Sequence, residues 1–311
     1  MNLEFASNFE TYTVILEPDE NLPEWWAGAP SVLRAADGMF YLAARMREGR
    51  SRRGLRGYEI RILKSRDGIH FEKIHAIHRD DAGVPVFERP ALVQDPLTGA
   101  FRLYGCCDSE NGWQIIKFDD EYSPEHIAAN SVKPVIAAHN ATDEFVQVRG
   151  YKDPFVAYLE GQWHLWAIGY DQVERTYHFV SPNGENWLPD DARPWFDNSG
   201  WHNFYTRPAC VLPLSLGYLF VYEGSNLFWR DPVYNIATGF AWTFDLSNPV
   251  DLTPDAAVLK STTPGEYSTW RYSHWLHVDD KIYVYAEVAR PNRTNEIRLT
   301  ILNSNIPVNL K

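Results

Sequence analysis

Cysteine and methionine are both scarce in this chain, three of each in 311 residues. Cys106, Cys107 and Cys210 form no CxxC pair, and adjacent Cys106 and Cys107 suit neither a disulfide nor a zinc site. A disulfide scaffold is therefore excluded. Buried small hydrophobes in a reducing, cytoplasmic compartment are the expectation for all three. Basic charge is also short, at 29 Lys and Arg against 41 Asp and Glu, a formal net charge of -12. That balance argues against general nucleic-acid binding, which needs a basic surface to neutralise phosphates. No apolar run approaches the ~20 residues of a membrane span, so no membrane association is expected. The segment Met1–Glu10 carries acids and no basic-then-apolar pattern, so no secretory leader is expected either. Linkers and low-complexity tracts are missing too, which points to one domain over residues 1–311.

Aromatic residues are abundant: 12 Trp, 17 Tyr and 16 Phe make up 14% of the chain. Many of them fall in an internal repeat. Five segments share one form, a polar residue, a strand, a Gly or Asp turn and an aromatic-rich return strand. They begin at Gly28, Glu88, Lys152, Thr206 and Trp270. The residue before the proline, or its equivalent, falls at 29, 89, 153, 207 and 271, with spacings of 60, 64, 54 and 64. Asp37-Gly38 and Glu160-Gly161 supply turn chemistry, and Trp163-His164-Leu165-Trp166 and Ile282-Tyr283-Val284-Tyr285 are strand formers. Further strand pairs follow three of the hairpins, turning at Asp67-Gly68 and Asn183-Gly184 in two of them. Four short antiparallel strands repeated five times predict an all-β, five-bladed β-propeller. A β-sandwich with accidental self-similarity is the alternative. A strand over 11–16 is expected to pair with one over 296–302 and close the ring, hiding the edges.

In a propeller, the starts of the innermost strands and the ends of the return strands surround one central opening. The alignment puts Ala29, Arg89, Asp153, Arg207 and Arg271 in one ring and Arg45, Cys106, Ile168, Glu223 and Glu287 in a second. Hairpin symmetry sets Glu223 across from Arg207 and Glu287 across from Arg271. These pairs read either as structural ion pairs repeated because the blades are related, or as a site. The segment from Arg45 to Arg61 adds Arg47, Arg50, Arg52, Arg53 and Arg56, against only Glu48 and Glu59. Solvated loop charge is the usual reading of such a run. Arginine forks match carboxylate, sulfate or phosphate, so an anionic ligand is the expectation. Trp25, Trp26, Trp201, Tyr205, Trp270 and Tyr272 stand at or just before the strand starts. They either rim a funnel that binds a sugar or simply plug it.

These units resemble the five-bladed glycoside hydrolase superfamily that includes families 32, 43, 68, 117 and 130. The resemblance covers essentially the whole chain. It rests on Gly28-Ala29-Pro30 through Arg45, Glu88-Arg89-Pro90 through Tyr104 and Lys152-Asp153-Pro154 through Trp166. The outer turns 65–71 and 181–187 belong to the same likeness. The resemblance implies a carboxylate acid/base site in the funnel. Of the family 43 carboxylates only the third-blade Asp is matched, by Asp153. Ala29 stands at the first position and Thr206-Arg207 at the fourth. The second-blade Glu-Asp-Pro-Arg motif of family 130 is Glu88-Arg89-Pro90 here. The chain thus reads as a divergent member.

Glycoside cleavage needs one carboxylic acid and a second carboxylate as base or nucleophile. Asp153 and Glu223 are the first choice, with Glu88 in reserve. Arg45, Arg89, Arg207, Arg271, Glu287, Trp26, Trp270, Tyr205, His202 and His274 are the expected substrate contacts. No cofactor motif is present: there is no phosphate-binding Gly-rich loop and no nucleophile elbow. His202 and His274 lack metal-ligand spacing, so no metal is expected. The expected partner is a small oligosaccharide, with the arginines favouring an anionic one. Hydrolysis, phosphate-dependent cleavage and glycan binding without turnover all remain open, as does the oligomeric state.

Overall fold

The computed structural model describes residues 6–303 apart from 53, 138–147, 149, 172 and 190–192. Arg53 of the arginine-rich segment lies outside the described residues. The architecture is all-β. The chain runs through β1 (Thr13–Leu16), β2 (Trp26–Arg34), β3 (Phe40–Arg47), β4 (Gly57–Ser65) and β5 (Phe71–His78). It continues through β6 (Glu88–Gln94), β7 (Phe101–Ser109), β8 (Gly112–Lys117) and β9 (Lys133–Ile136), then β10 (Tyr151–Leu159), β11 (Gln162–Asp171), β12 (Val173–Ser181) and β13 (Leu188–Pro189). Last come β14 (Tyr205–Pro213), β15 (Tyr218–Ser225), β16 (Ala237–Thr243), β17 (Val250–Asp251), β18 (Trp270–Val278), β19 (Lys281–Ala289) and β20 (Asn295–Asn303). The chain packs as two compact bodies, one of Met1–Pro30 with Asn198–Lys311 and one of Ser31–Asp197. No described helix is long and apolar enough to cross a membrane.

In the Ser31–Asp197 body, β6-β7-β8-β9 and β10-β11-β12-β13 are antiparallel four-stranded arrays, and β3-β4-β5 follows the same pattern. Strands early in each array are buried along most of their length, as in β3 and β6. The last strands, β5 and β9, are half exposed. The early strands therefore read as near-continuous apolar runs. Tyr41, Ile60, Phe87, Leu103 and Phe118 share one core cluster, while Tyr104, Ile115, Trp163, Leu165 and Phe179 share another. Two outer turns repeat one chemistry. The Ser65 hydroxyl accepts from the N–H groups of Asp67 and Gly68, and Asp67 Oδ1 from those of Ile69 and His70. Ser181 and Asn183 do the same for residues 183 to 186. These are the side-chain-to-backbone turns that Ser, Asp and Asn favour.

In the other body, β14-β15-β16-β17 and β18-β19-β20 are antiparallel arrays. The N-terminal strand completes the second of these: Thr13 pairs with Leu299 and Val14 with Arg298. The expected pairing of the first strand with the last is thus found.

Register corrects the repeat alignment by one residue in the last two hairpins. Glu88 pairs with Cys106, Lys152 with Ile168, Arg207 with Glu223 and Arg271 with Glu287. Arg207 and Arg271 therefore occupy the step of Glu88 and Lys152. The counterparts of Asp153 are Ala29, Arg89, Pro208 and Tyr272. Backbone angles agree, because Ala29, Asp153 and Tyr272 all have left-handed φ, at 50°, 56° and 53°. The proline motif misled because Pro208 takes the step that the residue before the proline takes in the other hairpins. A register shift lies close to that step in four hairpins, between Glu88 and Ala91, Lys152 and Phe155, Pro208 and Cys210, and Arg271 and His274. Such bulges bend a strand and re-aim its side chains. Left-handed backbone at non-glycine residues costs on the order of 1 kcal/mol or more and tends to mark functional positions.

Candidate functional site

The Ser31–Asp197 body carries Asp153, Glu88, Arg45 and Arg89 at or next to the bulge step, all buried. The Asp153 backbone N–H donates to the Cys106 sulfur at 3.1 Å, and the Cys106 thiol donates back to Asp153 Oδ1 at 3.6 Å. Burial, and then the charge of Asp153, push the Cys106 thiol well above its ordinary pKa. That shift favours the thiol form, which donates to Asp153. Sequence reasoning placed Cys106 in the second ring but gave it only a packing role. Its position at the end of a return strand was the available signal. Glu88 is in ion-pair contact with Arg45, whose side chain is wholly buried. Lys152 pairs with buried Glu174 at 2.6 Å, a contact not anticipated. Arg89 lies 5.9 Å from the ring centre of Phe155.

In the other body the Arg271–Glu287 pair is enclosed. Arg271 donates from Nε and Nη2 to Glu287 Oε1, at 2.9 and 2.7 Å. The same oxygen accepts from Asn295 at 2.6 Å, while Oε2 accepts from the Ala29 N–H at 2.9 Å. A Cβ on Gly28 would stand 1.9 Å from Glu287 Oε2, so glycine is required there. Arg271 also sits 4.9 Å from the ring centre of Trp26 and 5.0 Å from that of Tyr272. The Glu287 carboxylate thus accepts from a guanidinium, an amide and a backbone N–H at once.

Glu223 is completely buried on β15, opposite Arg207, and its Oε1 accepts from the Ser273 N–H at 2.9 Å. Ser273 lies on the bulged start of β18, so the backbone that produces left-handed Tyr272 also positions the Glu223 carboxylate. The Arg207 guanidinium lies 4.2 Å from the ring centre of Tyr205.

His202 is fully buried, with Nδ1 3.0 Å from the Thr206 hydroxyl and Nε2 3.1 Å from Asp251 Oδ2. Tyr222 and the Thr253 N–H donate to the other oxygen of Asp251. Burial alone would raise the Asp251 carboxyl. His202, Thr253 and Tyr222 outweigh it and hold the group below its usual range. His274 is half-buried within β18, opposite Tyr285. Trp26, Trp201, Tyr205, Trp270 and Tyr272 are all buried, and several of their rings pack on protein groups. Trp270, for example, meets the Phe9 ring edge-on at 5.2 Å between centres. Exposed aromatic surface in this body includes Phe228 on the β15–β16 connection, 88% exposed, and Phe244 just after β16, 61% exposed. Among the described residues no group of three or more His, Cys, Asp or Glu is placed to hold a metal ion.

No protein-family model and no curated protein sequence matches the chain. Solved structures do match over nearly all of it. A protein described as a glycoside hydrolase superposes with a TM-score of 0.72 at 13% identity, covering 97% of this chain and 95% of its own. The β-1,2-mannobiose phosphorylase from Listeria innocua gives 0.66 at 12% identity, covering 93% and 94%. A third structure gives 0.68 at 15% identity, covering 96% and 95%. It is described among mannoside phosphorylases whose family contains hydrolases of β-1,2 mannosidic linkages in Candida mannan. At such identities the likeness shows the fold alone. The chain shares that fold with these glycoside hydrolases and mannoside phosphorylases.

Proposed function

We propose that this protein is a carbohydrate-active enzyme, a glycoside hydrolase that cleaves a small acidic oligosaccharide. In this reading residues 1–311 form one five-bladed β-propeller with four antiparallel strands per blade. The observation that carries the catalytic assignment is the Glu223 carboxylate, fully buried at a hairpin end and fixed by a backbone N–H from a bulged strand. Glu223 is the general acid. Asp153, held by the Cys106 thiol, is the base or nucleophile. Glu88 contacts Arg45 and Glu287 contacts Arg271. Glu88 is kept as the reserve carboxylate. Arg45, Arg89 and Arg207 line the substrate site, with His274 at its margin.

A second reading, phosphorolysis, is favoured by the phosphorylase among the structural neighbours. One experiment tests both. Turnover of β-1,2-mannobiose and of uronate-containing oligosaccharides is followed with and without inorganic phosphate. Hydrolysis without phosphate supports the first reading, and strict phosphate dependence supports the second. Glu223→Gln is expected to lower kcat by about 10²–10⁴, the usual range for a lost general acid. Undiminished kcat in that variant, with fold retained, would overturn the assignment.

A further inference from the structure

The body that holds Glu223 also contains a cavity of about 370 Å³, near the lower end of the range, roughly 300–1,000 Å³, of small-ligand sites. Its walls include Trp229, Arg230, Ile236, Ala237, Lys260 and Glu266. Ile236 and Ala237 are buried and give it an apolar floor. Ala237 pairs with Gly224, one ladder step from the Glu223–Thr238 pair, so the cavity adjoins the end of β15 that carries Glu223.

Its cations are held in place. Trp201 stacks on Trp229 with ring centres 6.0 Å apart and planes 18° apart, and Trp201 also stacks on Tyr222. Lys260 Nζ lies 5.0 Å from the Trp229 ring centre, so a ring anchored to the core positions the ammonium. Lys260 makes no ion pair with a described carboxylate. Arg230 and Arg293 approach the two oxygens of Glu266 at 3.6 and 3.5 Å, weak and exposed contacts that leave their charges available. Leu227 and Phe228, immediately before Trp229 in the chain, are 58% and 88% exposed. Asn235 ties the same connection down, accepting from the Ser268 N–H and donating to the Asp231 carbonyl.

An apolar floor, a lysine with no ion pair to a described carboxylate, an arginine in a long exposed ion pair and one carboxylate able to accept from hydroxyls match a sugar ring bearing an acid group. We propose that this cavity is a glycan subsite for an anionic sugar residue, its acid group held by Lys260 and Arg230. As a subsite of the catalytic centre the proposal rests on the reading above, but the binding it predicts does not require turnover. The acid group is a carboxylate or a sulfate, and the two are separated by direct comparison.

Titration calorimetry of the full chain in 50 mM salt would use trigalacturonate, a 6-sulfated galactobiose and neutral galactotriose. At least one charged ligand is expected to bind tenfold or more tightly than the neutral one, and the tighter of the two names the group. Lys260→Ala and Arg230→Ala should each weaken charged-ligand binding at least fivefold, leave the neutral sugar unchanged and leave the melting temperature unchanged. Lys260→Arg should retain binding. Equal affinity for charged and neutral ligands, or wild-type affinity in the double alanine variant, would overturn the proposal. Charged-ligand binding lost with Lys260, in a protein that turns over no sugar, would keep the subsite and remove the enzyme. Turnover of acidic substrates that needs Glu223 yet ignores both alanine substitutions would do the reverse.

Discussion

Buried charge in this protein is held by donors rather than by solvent, and the consequences appear one residue at a time. Removing Arg271 takes from buried Glu287 the guanidinium that it binds beside the Asn295 amide and the Ala29 N–H. Breaking a buried pair from one side typically costs about 3–5 kcal/mol, whereas replacing both partners with apolar groups often costs little. Urea denaturation should therefore show Arg271→Met to be much less stable than the Arg271→Met, Glu287→Met double variant. Asp251 gives a pH signature. Its folded carboxyl is held below the ordinary value near 3.9, so its stabilising contribution is complete above that value and fades as pH falls through the lower folded value. The stability gap between wild type and Asp251→Asn should be full above about pH 5 and should narrow below about pH 4. A gap independent of pH would show that the Asp251 carboxyl is not held below its ordinary value.

At the scale of the element, the bulged hairpin start is the unit of design. Each hairpin meets its partner strand in register, slips at the bulge, and the slip turns charged groups such as Asp153 inward. Gly28 belongs to this device, since the Glu287 carboxylate occupies the space a side chain would fill. Gly28→Ala should displace that carboxylate from the Ala29 N–H and lower stability by about 1–3 kcal/mol, the range for overpacking. Thermal melts would measure it, and an unchanged melting temperature would mean that Glu287 relocates without cost. The hairpins themselves were legible in the sequence, because turn residues and alternating aromatics are local signals. The bulge position was not. A proline marks an irregularity in a strand but does not say on which side of it the ladder slips, so Arg207 before Pro208 aligns one step away from its true counterparts; the hairpin of Arg271 has no proline to mark the step at all.

For the whole molecule, the N-terminal strand matters beyond its length. β1 covers the outer edge of β20, the last strand of the chain's final array. Truncation of residues 1–16 should lower the melting temperature and promote concentration-dependent association, because an open strand edge is a template for pairing. Light scattering alongside thermal melts would detect both effects, and a monomer melting like the full chain would refute them. Composition, turn chemistry and the repeat determined by themselves that this chain is all-β, which residues make its hairpins, and which charged positions recur at the hairpin ends. Those features are periodic and local, so a linear reading recovers them. Only the tertiary structure decided that Arg271 and Glu287 clasp each other, that His202 is sealed against Asp251, that a thiol serves Asp153, and that Lys260 rests over Trp229. Each of these depends on groups far apart in the chain arriving within hydrogen-bonding or ring-contact distance, and that proximity is set by register and packing rather than by any residue's own chemistry.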